Sequence, residues 1–231
     1  MAHNAWIPRT LMRHSSPEMH TSKFNEKGIK NPISRVKALL NKLTEEKALA
    51  ISLEMKELFK ISIDTSELRN QVSTSIINKS VREPNYSKLY TELVLSIIEE
   101  NPDFRISFLL VLQDLFTKLC KNLDSRNRSK QLRGYAKLIG EFYNHKLISQ
   151  KIFFLNVANY FLEELSEDTL GALCILITVS REQLKKTVSG KDSLTLYINK
   201  MEEIRQDKSN GISSRMRFLI LDVIEDRNKK I

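Results

Sequence analysis

From Ile33 onward, apolar positions recur every three or four residues with short polar breaks, a pattern that predicts one helix after another. Ile33, Val36, Leu39, Leu40 and Leu43 form the first stripe. Thr44 opens a second helix, with Glu45 and Glu46 placed where the helix dipole favours acids. Asp64-Thr65-Ser66 opens a third that runs to Arg82, just before Glu83-Pro84. A fourth covers about 86–100, and Asn101-Pro102-Asp103 starts a fifth. Segments 129–144, 149–163, 167–180, 192–208 and 213–228 bring the expected number to about ten. Short links imply antiparallel neighbours, so the expected fold is all-α, a HEAT-type α-solenoid of about five stacked antiparallel helix pairs. No tight repeat of the ankyrin or tetratricopeptide kind is visible, which suits the degenerate HEAT class.

Residues 1–32 differ from the rest. They hold Pro8, Pro17 and Pro32, three of the four histidines, and no sustained periodicity. This predicts a flexible N-terminal arm ahead of a helical domain over 33–231.

Composition adds three constraints. With 6 Gly and 5 Pro in 231 residues there is little turn punctuation for an all-β fold. A net charge of +9 points to a polyanionic partner, RNA before membrane. Cys120 and Cys174 are too far apart in sequence for a metal motif, and they suggest a reducing compartment. No apolar run approaches membrane-spanning length, so the expected location is cytoplasmic.

Catalytic chemistry is not expected. The sequence has no Gly-rich phosphate loop and no His/Cys/Asp cluster with metal-ligand spacing, so no enzyme and no cofactor are anticipated. His145 follows Asn144 at a helix end, where it suits the C-terminal dipole.

Three features are candidates for binding. On the last helix Met216, Leu219, Ile220, Val223 and Ile224 share one face, while Phe218 lies nearly opposite, among Arg215, Asp222 and Glu225. A large aromatic there is either a partner anchor or packs on a neighbouring repeat. Leu170, Leu173, Cys174 and Ile177 form one stripe, with Ile175, Leu176 and Val179 on other faces. That helix is either central in the stack or half covered by a partner. Arg126, Arg128, Lys130 and Arg133 crowd one interhelical stretch and, with Lys185, Lys186 and Lys191, suggest an RNA-contacting rim; the alternative is a solvated loop.

Five segments, in order, carry a resemblance. They are Arg35-Val-Lys-Ala-Leu-Leu-Asn-Lys-Leu-Thr44; Ile63-Asp-Thr65 with Val81-Arg-Glu-Pro84-Asn-Tyr86 and Leu89-Tyr90; Leu138-Ile-Gly140-Glu-Phe142 ahead of Leu147-Ile148; Leu170-Gly-Ala-Leu-Cys-Ile-Leu-Ile-Thr178; and Ile212-Ser-Ser-Arg-Met-Arg-Phe218 continuing through Asp222 to Arg227. Together they resemble the middle domain of eukaryotic translation initiation factor 4 gamma.

The resemblance implies a monomeric scaffold that grips both lobes of a DEAD-box RNA helicase and contacts mRNA without sequence preference. By position, Leu170, Leu173, Leu176, Arg215 and Phe218 would make the stronger contact, and Leu40 and Leu43 a weaker one. Periodicity alone assigns Leu40 and Leu43 to the core. The alternative function is a translation-regulator, RNA-decay or splicing adaptor with the same fold that activates no helicase. Two departures stand out: 122–131 leaves almost no room for the charged insertion common in the family, and Ala48 stands where an aromatic is usual. In the arm, Trp6, Leu11 and Met12 resemble the peptide by which such scaffolds bind the cap-binding subunit, with Trp replacing Tyr.

Overall fold

The computed structural model describes residues 31–121 and 127–225, without the side chains of 153–155. Among these residues the chain is helical with no strand, the all-α class that the periodicity predicts. Trp6, Leu11, Met12 and Arg126 lie outside the described residues. Two compact units are present. One takes the described residues up to Lys79 with Glu92–Lys118, the other Ser80–Thr91 with the described residues from Leu119 on.

In the first unit, α1 (Pro32–Leu40) begins where Asn31 caps it, the side chain accepting from the Ser34 amide at 3.0 Å, with Pro32 at the first position. A 3-10 turn at Glu45–Lys47 leads into α2 (Ala48–Ile61), followed by α3 (Ser66–Arg82), α4 (Ser87–Glu100) and α5 (Pro102–Lys121), of which Ser80–Arg82, Ser87–Thr91 and Leu119–Lys121 belong to the second unit. Helices α2 and α4 run parallel: Ser52 Oγ meets Ser96 Oγ at 2.6 Å, and one turn on, Lys56 Nζ meets Glu100 at 2.9 Å. Two helices in the same direction with an antiparallel one between them is the arrangement that stacked pairs produce. Val36, Met55, Ile97, Phe104 and Phe108 are fully buried, and Phe59 meets Phe104 edge-on at 4.7 Å.

The second unit repeats the arrangement. It contains α6 (Arg128–Asn144), α7 (Gln150–Ile152), a π-helical turn (Phe153–Ala158), α8 (Asn159–Glu164), α9 (Glu167–Leu184), α10 (Val188–Gln206) and α11 (Ser214–Ile224). Helices α6 and α9 lie parallel, since Gly134 and Gly140 on α6 bracket the level of Gly171 to Val179 on α9 through the contacts Arg133–Gly171 and Gly140–Val179. Helix α11 parallels α9 in turn, tied by Ser213 to Glu167 at one end and by Arg181 to the Val223 carbonyl at the other. On the other layer α10 runs parallel with α7–α8, Gln150 reaching Ser189 and Ser193 and Asn159 meeting Tyr197.

Local chemistry explains two departures from the sequence reading. Helix α10 starts at Val188, earlier than the expected 192, because the Thr187 side chain accepts from the Gly190 amide at 3.0 Å; Ser189-Gly190 reads as a turn but forms the first helical turn. A Cβ on Gly190 would press on the Leu184 carbonyl, so only glycine fits. The helix expected over 149–163 carries the π-helical turn and ends at Leu165, which takes a left-handed conformation at φ 49°.

A buried polar network closes the α6 and α8 ends. Arg128 is 3% exposed and donates from Nη2 to Glu164 at 2.7 Å and from Nε to the Leu119 carbonyl at 3.2 Å. Tyr160 donates its hydroxyl proton to Glu164, and its oxygen lies 3.2 Å from the Cys120 carbonyl. Burial opposes ionisation of Glu164, but hydrogen bonds from Arg128 and Tyr160 and the guanidinium charge hold its carboxyl below the ordinary range.

Candidate functional site

Helix α9 is the axis of the second unit. Its N-terminus is set by a reciprocal cap: Ser166 Oγ accepts from the Thr169 amide at 3.2 Å and Thr169 Oγ1 accepts from the Ser166 amide at 3.1 Å. Apolar residues nearly all round allow it to pack on α6, α8, α10 and α11 together. Leu170, Leu173, Leu176 and Ile177 therefore have no exposed surface. This settles the choice left by the sequence in favour of a central helix. It also corrects the assignment of Leu170, Leu173 and Leu176 as direct contacts: they support a surface from beneath and cannot touch a partner. The same correction applies to Leu40 and Leu43, 2% and 8% exposed in the first unit.

Helix α11 presents the outer face. Met216, Ile220 and Val223 are buried, as its periodicity predicts, and Phe218 is 68% exposed with Arg215 exposed one turn before it. The helix is held at both ends. Ser213 caps it, its Oγ accepting from the Met216 amide at 3.2 Å, while the Ser213 amide donates to Glu167 Oε1 at 2.8 Å. Hydrogen bonds from the Ser213 side chain and amide, with Arg215 nearby, hold the Glu167 carboxyl below its usual range. In the preceding turn Gly211 takes φ 72°, and Asn210 accepts from Ile212 and from Arg217 at 3.2 and 3.0 Å. Arg217 also donates to the Arg205 carbonyl. A large aromatic on a helix so fixed is presented with little remaining freedom to lose.

Opposite α11, on the α6 side of α9, Arg133 is exposed and its guanidinium rests on Gly171: Nη2, Nε and Cζ lie 3.2, 3.4 and 3.6 Å from where a Cβ would stand. Burial pushes the Cys174 thiol, one turn along α9, up to about 12, with Arg133 lowering and Asp222 raising it. Cys174 is thus an inert core thiol, reached electrostatically from both α6 and α11.

The proposed basic rim separates into parts. Arg128 is withdrawn by its pairing with Glu164, which corrects its assignment as a phosphate contact. Lys130 and Arg133 are helical and exposed, not loop residues. Lys186 and Lys191 are exposed and Lys185 half-exposed at the α9–α10 turn, where Lys185 pairs with Glu182 at 2.8 Å. Fourteen residues of α9 separate Gly171 from Lys185, about 20 Å of helix. Among the described residues no group of three or more His, Cys, Asp or Glu side chains is placed to hold a metal ion, and no helix is long and apolar enough to cross a membrane.

A family profile of the MIF4G domain matches residues 33–230. The chain belongs to the MIF4G family. Eukaryotic translation initiation factor 4 gamma 1 of Mus musculus is 25% identical over 264 residues, covering 98% of this chain and 16% of the relative. Eukaryotic translation initiation factor 4 gamma 2 of Homo sapiens is 26% identical over 263 residues, covering 96% and 28%. This MIF4G chain thus spans less than a third of either. The crystal structure of the MIF4G domain of Trypanosoma cruzi translation initiation factor EIF4G5 superposes with a TM-score of 0.54 at 18% identity, over 85% of this chain and 96% of that one. At that identity the match shows the fold alone, a helical solenoid-type domain.

The MIF4G chain also exposes an apolar pair that the sequence reading passed over. Leu49 and Leu53 on α2 are 74% and 58% exposed. Helix α2 buries Ile51, Met55, Leu58 and Phe59, and Leu49 and Leu53 fall on the opposite side of its helical wheel, one turn apart. That off-stripe spacing is visible in the sequence. His145 sits at the C-terminus of α6, its Nδ1 2.9 Å from the Glu141 carbonyl, in keeping with a helix-end role.

Proposed function

We propose that this protein is a translation-initiation scaffold that binds and stimulates a DEAD-box RNA helicase, in the cytoplasm and without performing chemistry itself. The observation that carries the reading is Phe218, two-thirds exposed beside Arg215 on a helix tied at its start by Ser213 to Glu167 and near its end by Arg181 to the Val223 carbonyl. Exposed aromatics and arginines are the side chains that anchor protein interfaces. A second, weaker contact is assigned to the exposed Leu49 and Leu53 pair, in place of the buried Leu40 and Leu43. Two weak contacts made by one chain keep both helicase lobes at high effective concentration, so each closing step loses less entropy and turnover rises.

Stimulation of the RNA-dependent ATPase of a purified initiation helicase tests this. The protein should raise the rate, and Phe218→Ala should weaken half-maximal stimulation by about tenfold or more, as loss of a central aromatic anchor does. Circular dichroism should show the variant folded, since Phe218 packs mainly against solvent. No stimulation would sink the reading and leave an adaptor of the same fold.

RNA contact is assigned to Lys185, Lys186 and Lys191. Charge reversal of the exposed Lys186 and Lys191 should lower affinity for a labelled oligouridylate and flatten its salt dependence by about two counterions. Unchanged salt dependence would remove the lysines from any RNA path.

A further inference from the structure

We infer that Arg133, seated on Gly171, is a carboxylate-binding anchor of the same face as Phe218, and that this face takes a single exposed carboxylate of its protein partner. The inference rests on the docking reading of Phe218 and names the chemistry of what docks.

Gly171 is the residue that makes the seat. It lies on α9 beneath Arg133, and the absence of a side chain lets the guanidinium settle against the helix backbone. An arginine held in this way has much of its chain entropy already spent, which favours bidentate capture of a carboxylate. Helix α9 packs against both α6 and α11; Arg133 on α6 meets it at Gly171, while α11 runs alongside from Ser213 at Glu167 to Val223 at Arg181, which sets Phe218 within about one turn of the level of Arg133. Asp222, one turn beyond Phe218, and Arg133 both act on Cys174, one turn beyond Gly171. Lys130 continues the cationic row on α6, and Arg215 carries it on α11.

The surroundings favour protein over nucleic acid. Asp222 is half-exposed and Glu225 exposed beyond Phe218, and Asp168 is half-exposed in the first turn of α9. A continuous phosphate chain crossing this face would run against those carboxylates, whereas a protein surface offers single carboxylates set among neutral groups. The lysines suited to phosphate stand about 20 Å away along α9.

The test measures binding of four proteins to a purified DEAD-box initiation helicase and, separately, to a labelled oligouridylate: wild type, Arg133→Ala, Gly171→Ala and Phe218→Ala. Arg133→Ala should weaken helicase binding about five- to tenfold and leave RNA affinity unchanged. Gly171→Ala should give a smaller loss of the same kind, since its methyl would displace the guanidinium by tenths of an ångström without harming a helix that prefers alanine. Because Arg133 is exposed, thermal melts should coincide with wild type. If Phe218→Ala weakens binding and Arg133→Ala does not, the inference fails and the docking reading stands. RNA affinity falling with helicase binding intact would also overturn it, assigning Arg133 to phosphate. If neither substitution changes helicase binding, both readings fail.

Discussion

Gly134→Ala should destabilise the second unit by about 3 kcal/mol, although alanine is the better helix former by about 1 kcal/mol. The two effects have opposite signs, and geometry decides between them. Gly134 sits inside α6 where the end of α3 crosses it, and a Cβ there would overlap the Val81 carbonyl oxygen and stand 2.9 Å from the carbonyl carbon. Neither group can swing aside, because both are helix backbone. The strain must be relieved by separating α6 from the end of α3, which loosens the core around Val81, Leu132, Tyr135 and Leu138. Urea denaturation followed by circular dichroism measures this directly. A variant as stable as wild type, or more so, would show that the close approach of α6 to Val81 is wrong. Gly140→Ala provides the graded comparison, since its Cβ would meet a side chain, Val179, that has some room to turn.

Arg128→Met should cost about 3–5 kcal/mol, the usual penalty for removing one partner of a buried ion pair. Glu164 would be left with its side chain 19% exposed and its strongest partner gone. The pH dependence identifies the cause. In the wild type the Glu164 carboxyl is held below its ordinary range, so its contribution is present above the unfolded-state value of about 4.3 and is lost as pH falls through the lower folded value. In the variant, burial without the guanidinium favours the protonated acid. The stability gap between the two proteins should therefore be largest near neutrality and narrow as pH falls from the raised value of the variant through the lowered value of the wild type. Replacing both residues with methionine should recover most of the loss, because the pair is dispensable when both charges leave together. A gap independent of pH would assign the loss to packing of the Arg128 side chain.

The fold was legible in the sequence because helical periodicity and caps are local. Asn31-Pro32, Asp64-Thr65-Ser66 and Asn101-Pro102 mark starts that the structure keeps within about two residues, the ordinary uncertainty of helix ends. Where the reading drifted, tertiary contacts had decided. Gly190 looks like a turn residue until the Leu184 carbonyl is seen against it, and the π-helical turn at 153–158 has no local signature. The candidate site was legible only in part. Phe218 stood out because it breaks the stripe of its own helix, and the same rule would have found Leu49 and Leu53. Burial of Leu170, Leu173 and Leu176 could not be read from α9 alone, since an all-round apolar helix fits either a central position or a covered surface. The basic residues misled for a related reason. Charge is visible in sequence, but the capture of Arg128 by Glu164, 36 residues on, is not.

The most direct measurement of the central claim is calorimetric titration of a purified DEAD-box initiation helicase into this protein and into its Phe218→Ala variant. The account predicts saturable one-to-one binding to the wild type, with the variant weaker by about tenfold or more at unchanged fold. Absence of binding to the wild type, or equal binding by the two proteins, would contradict it.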